Sequence, residues 1–344
     1  MNPLHRWWLR LFAAPRLDIP EDYEAVRRVQ SRLGDRPLRR AADLVLPVPG
    51  PVPVVPVRRF RPARRTRDAV VVYLHGGGWV TGDVRSHTAA CAALADALGC
   101  ELVSVDYRLA PEHPFPAGLE DCLGVVRRVL EEEAGTPVVL MGDSAGGNLA
   151  AAVCSILRDE RRANADASTA HARAIAAQVL LYPVMWDDHD PATSPFPSVA
   201  EHGTGLRLTT IEIEDYMRLY VPDAAARHDP RVAPLRAEDF SDLPPTLVIT
   251  AELDLLRDEG EEYAQRVAVA GGIARVQRVP DEVHGFITQP RFSRAVREAH
   301  GWIVDVLDEV LGAREPGPGP GTEPGAVRAP ATLPDPPADP GGRR

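Results

Sequence analysis

"VVLMGDSAGGNLAAAV", residues 138–153, joins an apolar run, a cluster of small residues and an alanine-rich segment. The run from Val138 to Met141 predicts a short buried strand, and the segment that begins at Ala145 predicts a buried helix. Between them lies Gly-x-Ser-x-Gly, with Ser144 at its centre. A glycine-rich turn after a strand is common. The order strand, sharp turn, helix is typical of an elbow that exposes a nucleophile, so Ser144 is a candidate catalytic serine.

Apolar runs of strand length alternate with helical patterns along most of the chain. Strands are predicted at 69–74, 101–106, 137–141, 176–182, 245–250 and 274–280, and helices near 86–98, 117–133, 144–158, 258–271 and 292–312. The β-branched, proline-interrupted stretch 44–60 is typical of edge strands. Nearly continuous apolar strands that alternate with helices predict an α/β fold, in which a mostly parallel sheet is covered by helices on both faces.

The same patterns divide the chain into segments. Residues 1–40 are interpreted as N-terminal cap helices laid over a pocket; a membrane-surface helix is the alternative, because Trp7, Trp8, Leu11 and Phe12 stand among arginines. Residues 41–311 form the expected catalytic domain. Within it, 184–222 is an insertion with an isolated helix at 209–220, and we expect it to complete the cap. Residues 312–344 form a Pro/Gly-rich tail that we expect to be disordered.

Charge and composition exclude several classes of function. The net charge is −10, from 39 basic and 49 acidic residues, which argues against a nucleic-acid partner. All the basic residues are arginine, so chemistry that needs a lysine Schiff base or a Walker A lysine is excluded. No run of about 18 apolar residues is present, so we expect no stable membrane insertion. We expect the four cysteines to be buried free thiols of a cytoplasmic protein, with neither a disulfide framework nor a zinc site. They are Cys91, Cys100, Cys122 and Cys154.

A run of three glycines follows a predicted strand in "YLHGGGWVTGD", residues 73–83. Glycines leave their backbone N–H groups unobstructed, and an oxyanion hole needs such donors. An ordinary flexible loop is the alternative, but His75 and Trp79 flank the glycines directly after the strand end. His75 is interpreted as a residue that fixes the loop through hydrogen bonds, with its side chain directed away from the pocket.

Two further residues complete the expected constellation. Asp254 follows the strand at 245–250, and His284 follows the last strand. The order Ser144, Asp254, His284 is the order of nucleophile, acid and base in an α/β-hydrolase. Asp258 is the competing acid, but Glu261 lies three residues beyond it in a capping-box pattern, which predicts that Asp258 caps the next helix.

A charged segment, "DYRLAPE", lies between the glycine loop and the predicted helix at 117–133. Asp106, Arg108 and Glu112 could be read as catalytic. We interpret them instead as one charged network that braces the pocket, in which the arginine donors are satisfied.

Five motifs together resemble the hormone-sensitive-lipase family of α/β-hydrolases, in its bacterial esterase branch. They are "HGGGW" at 75–79, "DYRLAPEHPFPA" at 106–117, "GDSAGGNLA" at 142–150, "DLLRDEG" at 254–260 and "HGF" at 284–286, with "DPRVAPL" at 229–235 as a further match. The resemblance covers about 40–311. It implies an eight-stranded sheet with a helical cap, and oxyanion donors at Gly77, Gly78 and Ala145. The supporting motif residues are His75, Gly76, Trp79 and Asp143.

The resemblance implies a serine carboxylesterase that uses no cofactor and no metal. Because the insertion and N-terminal helices should cover the pocket, short- to medium-chain esters are the expected small-molecule substrates. Acyl transfer or another biosynthetic reaction on the same triad is one alternative, and a non-catalytic ligand-binding member of the fold is another. The presence of both Ser144 and His284 favours hydrolysis. The sequence leaves open whether the chain forms a homodimer.

Overall fold

A sheet of eight strands forms the centre of the protein in a computed structural model that describes residues 18–34, 40–48, 54–163 and 175–312. The strands are β1 Ala41–Pro47, β2 Val54–Phe60, β3 Val70–Leu74, β4 Glu101–Val105, β5 Val138–Asp143, β6 Ala177–Leu181, β7 Thr246–Leu253 and β8 Ala274–Val283. Their spatial order is β1-β2-β4-β3-β5-β6-β7-β8. The predicted strands are confirmed, with ends that differ by a few positions.

The sheet is parallel from β4 to β8 and antiparallel at its first edge. β1 pairs with β2, and β2 pairs with β4, in antiparallel register, whereas β3 to β8 pair in parallel. Every residue of β3, β5 and β6 is buried. Strands buried on both faces carry apolar side chains at successive positions, which explains why they appear in the sequence as continuous apolar runs.

Helices cover both faces of this sheet. They are α1 Ile19–Gly34, α2 Thr88–Leu98, α3 Ala117–Glu132, α4 Ala145–Ala163, α5 Pro197–His202, α6 Thr210–Tyr220, α7 Arg257–Val269 and α8 Arg294–Leu311. One buried cluster joins α2 and α8 to the sheet through residues such as Leu94 and Ile303. A second cluster joins α3, α4 and α7 to the opposite face through residues such as Val126 and Leu149. The predicted arrangement of helices on both faces is therefore confirmed.

The insertion between β6 and β7 contains α5, α6 and two short 3-10 segments, Ala224–His228 and Pro234–Arg236. α6 begins with a capping box, because the Thr209 side chain accepts from the Glu212 amide and the Glu212 carboxylate accepts from the Thr209 amide. The helix predicted at 209–220 is confirmed, whereas α5 was not predicted. α1 packs against α6, so the N-terminal helix and the insertion lie side by side.

Several composition-based expectations are tested by the described part of the chain. The four cysteines are free and buried, which confirms the expected thiols. No helix within the described ranges is long and apolar enough to cross a membrane. Trp7, Trp8, Leu11 and Phe12, and the tail from 313 to 344, lie outside the described residues.

Candidate active site

Ser144 lies at the sharp turn between β5 and α4. Its φ is 54°, in the left-handed region that non-glycine residues rarely occupy, and its amide donates to Leu181 O at 2.8 Å. A Cβ on Gly146 would lie 2.0 Å from Leu74 O, and a Cβ on Gly142 would lie 2.2 Å from Gly146 O. Both glycines are therefore required because strand and helix approach too closely for any side chain. The turn holds the serine hydroxyl at the carboxyl end of the sheet.

The structure brings Ser144, His284 and Asp254 into one chain of short contacts. Nε2 of His284 lies 2.8 Å from the Ser144 hydroxyl oxygen, and Nδ1 lies 2.7 Å from Oδ2 of Asp254. Asp254 follows β7 and is buried, while His284 follows β8 and is 12% exposed. In this geometry the imidazole can take the hydroxyl proton while the carboxylate orients the ring.

In the loop after β7, which carries Asp254 and Asp258, two contacts differ from the sequence interpretation. Asp258 is not the N-cap of α7, because the helix begins at Arg257 and its cap residue is Leu256. The Asp258 carboxylate instead accepts from the Ser198 amide at 2.8 Å, at the start of α5. Asp254 also has a local contact that was not expected, since its Oδ1 accepts from the Leu256 amide at 3.1 Å.

Glu261, the other half of the predicted capping box, also points elsewhere. Its carboxylate pairs with Arg278 at 2.6 Å and accepts from the Thr250 hydroxyl at 3.0 Å. The capping-box prediction for α7 is therefore wrong. Tertiary partners on β7 and β8 occupy the carboxylate that a local sequence rule assigns to the helix end.

Three backbone amides near the serine have no acceptor among the described residues. They belong to Gly77, Gly78 and Ala145. Gly77 and Gly78 have φ values of 122° and 61°, and a Cβ on Gly78 would lie 2.3 Å from the Tyr216 ring. Because Ala145 is the first residue of α4, its amide also lies at the positive end of the helix dipole. Such unpaired donors suit an anionic oxygen.

His75 and Gly76 shape the glycine loop from behind. The buried His75 ring contacts Gly76 O through Nδ1 at 2.9 Å and stacks on Tyr107 at 4.3 Å between ring centroids. Burial lowers the pKa of His75 to about 4, so the ring is neutral at neutral pH. Trp79 is buried and stacks on Tyr220 at 4.5 Å. His75 and Trp79 therefore pack in the interior beside the loop.

Asp143 is a buried carboxylate directly before the serine. It accepts from the Gly76 amide at 2.8 Å and the Tyr73 hydroxyl at 2.8 Å, and Nε2 of His87 lies 3.6 Å away. Burial alone would raise the pKa of Asp143, but His87 and these donors together hold it below its usual value. Asp143 therefore ties the glycine loop to the elbow. Sequence reasoning did not find His87 or Tyr73, because no local motif marks them.

Glu259 and Asn148 attach the segment after β6 to the carboxyl end of the sheet. Glu259 is fully buried, accepts from the Met185 amide at 2.6 Å and lies 3.0 Å from Nε2 of the buried His189. Asn148, one turn after Ser144, donates to Val184 O at 2.9 Å. The sequence analysis assigned neither residue a role, because their partners lie far away in the sequence.

The three charged residues of the segment at 106–112 contact different partners and do not form one network, but the donors of Arg108 are satisfied as expected. Arg108 pairs with Asp121 of α3 at 2.8 Å, and Glu112 pairs with Arg27 of α1 at 2.8 Å. Asp106 accepts from a backbone amide at 3.3 Å. The segment thus connects neighbouring helices to the glycine loop, and it contributes no acid or base to the serine.

A cavity of about 780 Å³ opens over Ser144 and His284. Its walls come from α1, the glycine loop, α2 and the turn before it, the elbow, the insertion, the segment that follows His284, and α8. Gln30 and Leu33 represent α1, and Leu208 and Tyr216 represent the insertion. Within the described ranges, no group of three or more His, Cys, Asp or Glu side chains could hold a metal ion.

Comparisons with known proteins find similar sequences among ester hydrolases. A family model for the alpha/beta hydrolase fold matches residues 71–288. The carboxylic ester hydrolase LipN of Mycobacterium tuberculosis is 36% identical over 249 residues, which span 70% of this chain and 63% of that protein. The ethyl acetate hydrolase of Pseudomonas putida is 32% identical over 262 residues, with 74% of this chain and 77% of that protein covered.

Solved structures give the same result. The hyperthermophilic esterase from the archaeon Pyrobaculum calidifontis superposes with a TM-score of 0.76 and 33% sequence identity. The superposition covers 91% of this chain and 99% of that chain.

Proposed function

The chain belongs to the hormone-sensitive-lipase-like group of the α/β-hydrolase family, and on this premise we propose that Ser144, His284 and Asp254 hydrolyse carboxylic esters through an acyl-enzyme. The chain is a carboxylic ester hydrolase, as its relatives and structural neighbours are. The observation that carries the residue assignment is the continuous contact from hydroxyl to imidazole to carboxylate, at 2.8 and 2.7 Å.

The first half of the reaction forms the acyl-enzyme. Nε2 of His284 takes the proton of the Ser144 hydroxyl as the oxygen attacks the ester carbonyl carbon. The carbonyl oxygen becomes negative and is bound by the amides of Gly77, Gly78 and Ala145. When the intermediate collapses, the protonated imidazole gives its proton to the departing alcohol oxygen, and the acyl group remains on the serine.

The second half releases the acid. Water enters after the alcohol has left, and His284 removes a proton from it as it attacks the acyl carbon. The serine oxygen then departs and recovers its proton from the imidazole. Asp254 stabilises the imidazolium in both halves and holds the ring so that Nε2 faces the serine.

Short- to medium-chain esters are the proposed substrates. α1 and the 184–222 insertion are proposed to act as a cap, because Leu33 of α1 and Leu208 and Tyr216 of the insertion line the cavity above the serine. A cap limits the length of the acyl chain that the site can enclose. The relative from Pseudomonas putida, an ethyl acetate hydrolase, supports an acyl group of this size.

A series of p-nitrophenyl esters of increasing chain length tests the proposal. We expect kcat/KM to be highest for acyl groups of a few carbons and to fall for palmitate. Ser144→Ala should remove hydrolysis with the fold intact, since loss of a triad nucleophile costs on the order of 10⁶ in kcat. Residual activity above a few per cent in this variant, or faster hydrolysis of long-chain triglyceride emulsions, would contradict the proposal. Product analysis with added alcohol separates hydrolysis from acyl transfer.

Location and self-association are also proposals. A reducing compartment, the cytoplasm, is supported by the four free and buried cysteines. A homodimer is supported by β8, which is one of the two edge strands of the sheet and carries the exposed Val276, because edge strands can pair with a second chain. Fractionation of producing cells tests the first proposal. Light scattering tests the second, for which the expected mass is twice 37.3 kDa.

A further inference from the structure

The cavity above Ser144 carries positive charge, although the chain as a whole carries a net charge of −10. Two arginines, Arg207 and Arg291, are among its lining residues. The acidic side chain in the lining is Asp143, and it is already occupied by the Gly76 amide and the Tyr73 hydroxyl. The described lining therefore presents guanidinium groups that no carboxylate in the same lining neutralises.

Arg207 has the position from which a charge can act on the reaction. It lies in the insertion between α5 and α6, and Thr209, two residues later, caps α6. Its guanidinium carbon lies 3.4 Å from the point that a Cβ on Gly285 would occupy. Gly285 directly follows His284, so the guanidinium packs against the residue next to the candidate base.

The donors of Arg207 are not engaged within the described part of the chain. No hydrogen bond or ion pair joins Arg207 to another described residue, in contrast to Arg231, which also lies between β6 and β7 and pairs with Asp229 at 2.6 Å. A guanidinium presents several N–H groups in a planar fork that fits both oxygens of a carboxylate. Arg207 can therefore receive an anionic group from a bound substrate.

We propose that Arg207 is a specificity-determining residue that selects esters carrying a carboxylate, such as half-esters of short dicarboxylic acids. The inference rests on the proposed function, because the selected group is placed relative to Ser144. The ester carbonyl contacts Ser144, and the free carboxylate at the other end of the acyl group contacts Arg207. Hydrolysis then transfers the acyl group to water and releases the alcohol and a dicarboxylate.

The expected selectivity is moderate because Arg207 is exposed. Solvent-exposed charge pairs contribute about 0.2–1 kcal/mol, which corresponds to at most about fivefold in kcat/KM. We expect the contribution to appear mainly in KM, since the pair forms when the substrate binds. It should also decrease as ionic strength rises, because salt screens exposed charges.

Matched pairs of ethyl esters measure this selectivity in a pH-stat assay. Monoethyl succinate is compared with ethyl butyrate, and monoethyl glutarate with ethyl pentanoate, so that acyl length and leaving alcohol are equal within each pair. The measured quantity is the ratio of kcat/KM for the half-ester to kcat/KM for its neutral partner. Arg207→Gln should lower this ratio about two- to fivefold. Arg207→Lys should retain most of it.

Arg275→Gln is the matched control. Arg275, on β8, pairs with Glu309 on α8 and does not line the cavity. Its ratio should equal that of the unmodified protein, and added salt should lower the ratio more in the unmodified protein than in Arg207→Gln. An unchanged ratio in Arg207→Gln overturns the proposal while the esterase assignment stands.

Binding of glutarate separates this inference from the proposed function. Glutarate should inhibit hydrolysis of p-nitrophenyl acetate competitively, and the inhibition constant should rise in Arg207→Gln. Calorimetry with Ser144→Ala measures the same binding without turnover. If the unmodified protein hydrolyses none of the esters, the proposed function fails, and calorimetry still decides whether Arg207 binds a carboxylate.

Discussion

The amide replacement Asp254→Asn perturbs the candidate site without changing its shape. Asp254 is buried and makes two contacts, with Nδ1 of His284 at 2.7 Å and with the Leu256 amide at 3.1 Å. The asparagine oxygen can keep the Leu256 contact, and its NH₂ group then faces Nδ1. That arrangement favours the tautomer with the ring proton on Nε2, so the imidazole can no longer accept the Ser144 proton.

The two expected magnitudes are very different. Fixing the wrong tautomer should lower kcat by about 10⁴. The free energy of unfolding should change by no more than about 1 kcal/mol, because one hydrogen bond is retained and a buried charge is removed. Asp254→Asn is therefore expected to be nearly inactive and to have a normal melting temperature.

Asp258→Asn is the matched control on the same loop. Its carboxylate accepts from the Ser198 amide and pairs with Arg257 at 2.7 Å, and it has no contact with His284 among the described residues. Weakening these contacts should lower the free energy of unfolding by about 1 kcal/mol and the melting temperature by roughly 2 °C. The variant should retain most of its kcat.

Steady-state kinetics on p-nitrophenyl acetate, with calorimetric melting of both variants, compares the two effects. An active Asp254→Asn together with an inactive but stable Asp258→Asn would refute the reasoning, because it would move the orienting acid to Asp258.

Two further changes test other parts of the structure. Glu259→Gln should lower the free energy of unfolding by about 1–3 kcal/mol. Burial alone would lower the pKa of His189, but Glu259 raises it above the usual 6.5. The ion pair therefore contributes its full stabilisation below pH 6.5 and less as pH rises through the raised pKa. The melting temperature of Glu259→Gln should fall further below that of the unmodified protein at acidic than at alkaline pH, and an equal difference would contradict the ion pair. Gly146→Ala should prevent soluble expression, since its Cβ would lie 2.0 Å from Leu74 O, and a folded, active variant would contradict the close approach of β3 and α4.

The strand and helix positions could be predicted because each apolar run matches an element that the sheet buries completely. β3, β5 and β6 are buried at every position, so their side chains cannot alternate in polarity. The elbow could also be predicted, since only small residues fit where β5 meets α4. These features are local in sequence, and a local pattern is sufficient to identify them.

The contacts that attach the insertion could not be predicted from the sequence. Asp258 and Glu261 have capping-box spacing, but Ser198 and Arg278 occupy their carboxylates. Glu259 has no motif around it, and its partners lie more than one element away. Such contacts depend on how distant segments meet, so a spacing rule applied to one segment assigns them incorrectly or not at all.

Covalent labelling tests the central claim most directly. Diethyl p-nitrophenyl phosphate should release one equivalent of p-nitrophenolate and add one diethylphosphoryl group to the intact protein, because an activated serine displaces the leaving group from phosphorus. Peptide mass spectrometry is predicted to place that group on Ser144, and Ser144→Ala should acquire no label and hydrolyse no ester. A label on any other residue, or undiminished ester hydrolysis by the fully labelled protein, would contradict the proposed acyl-enzyme.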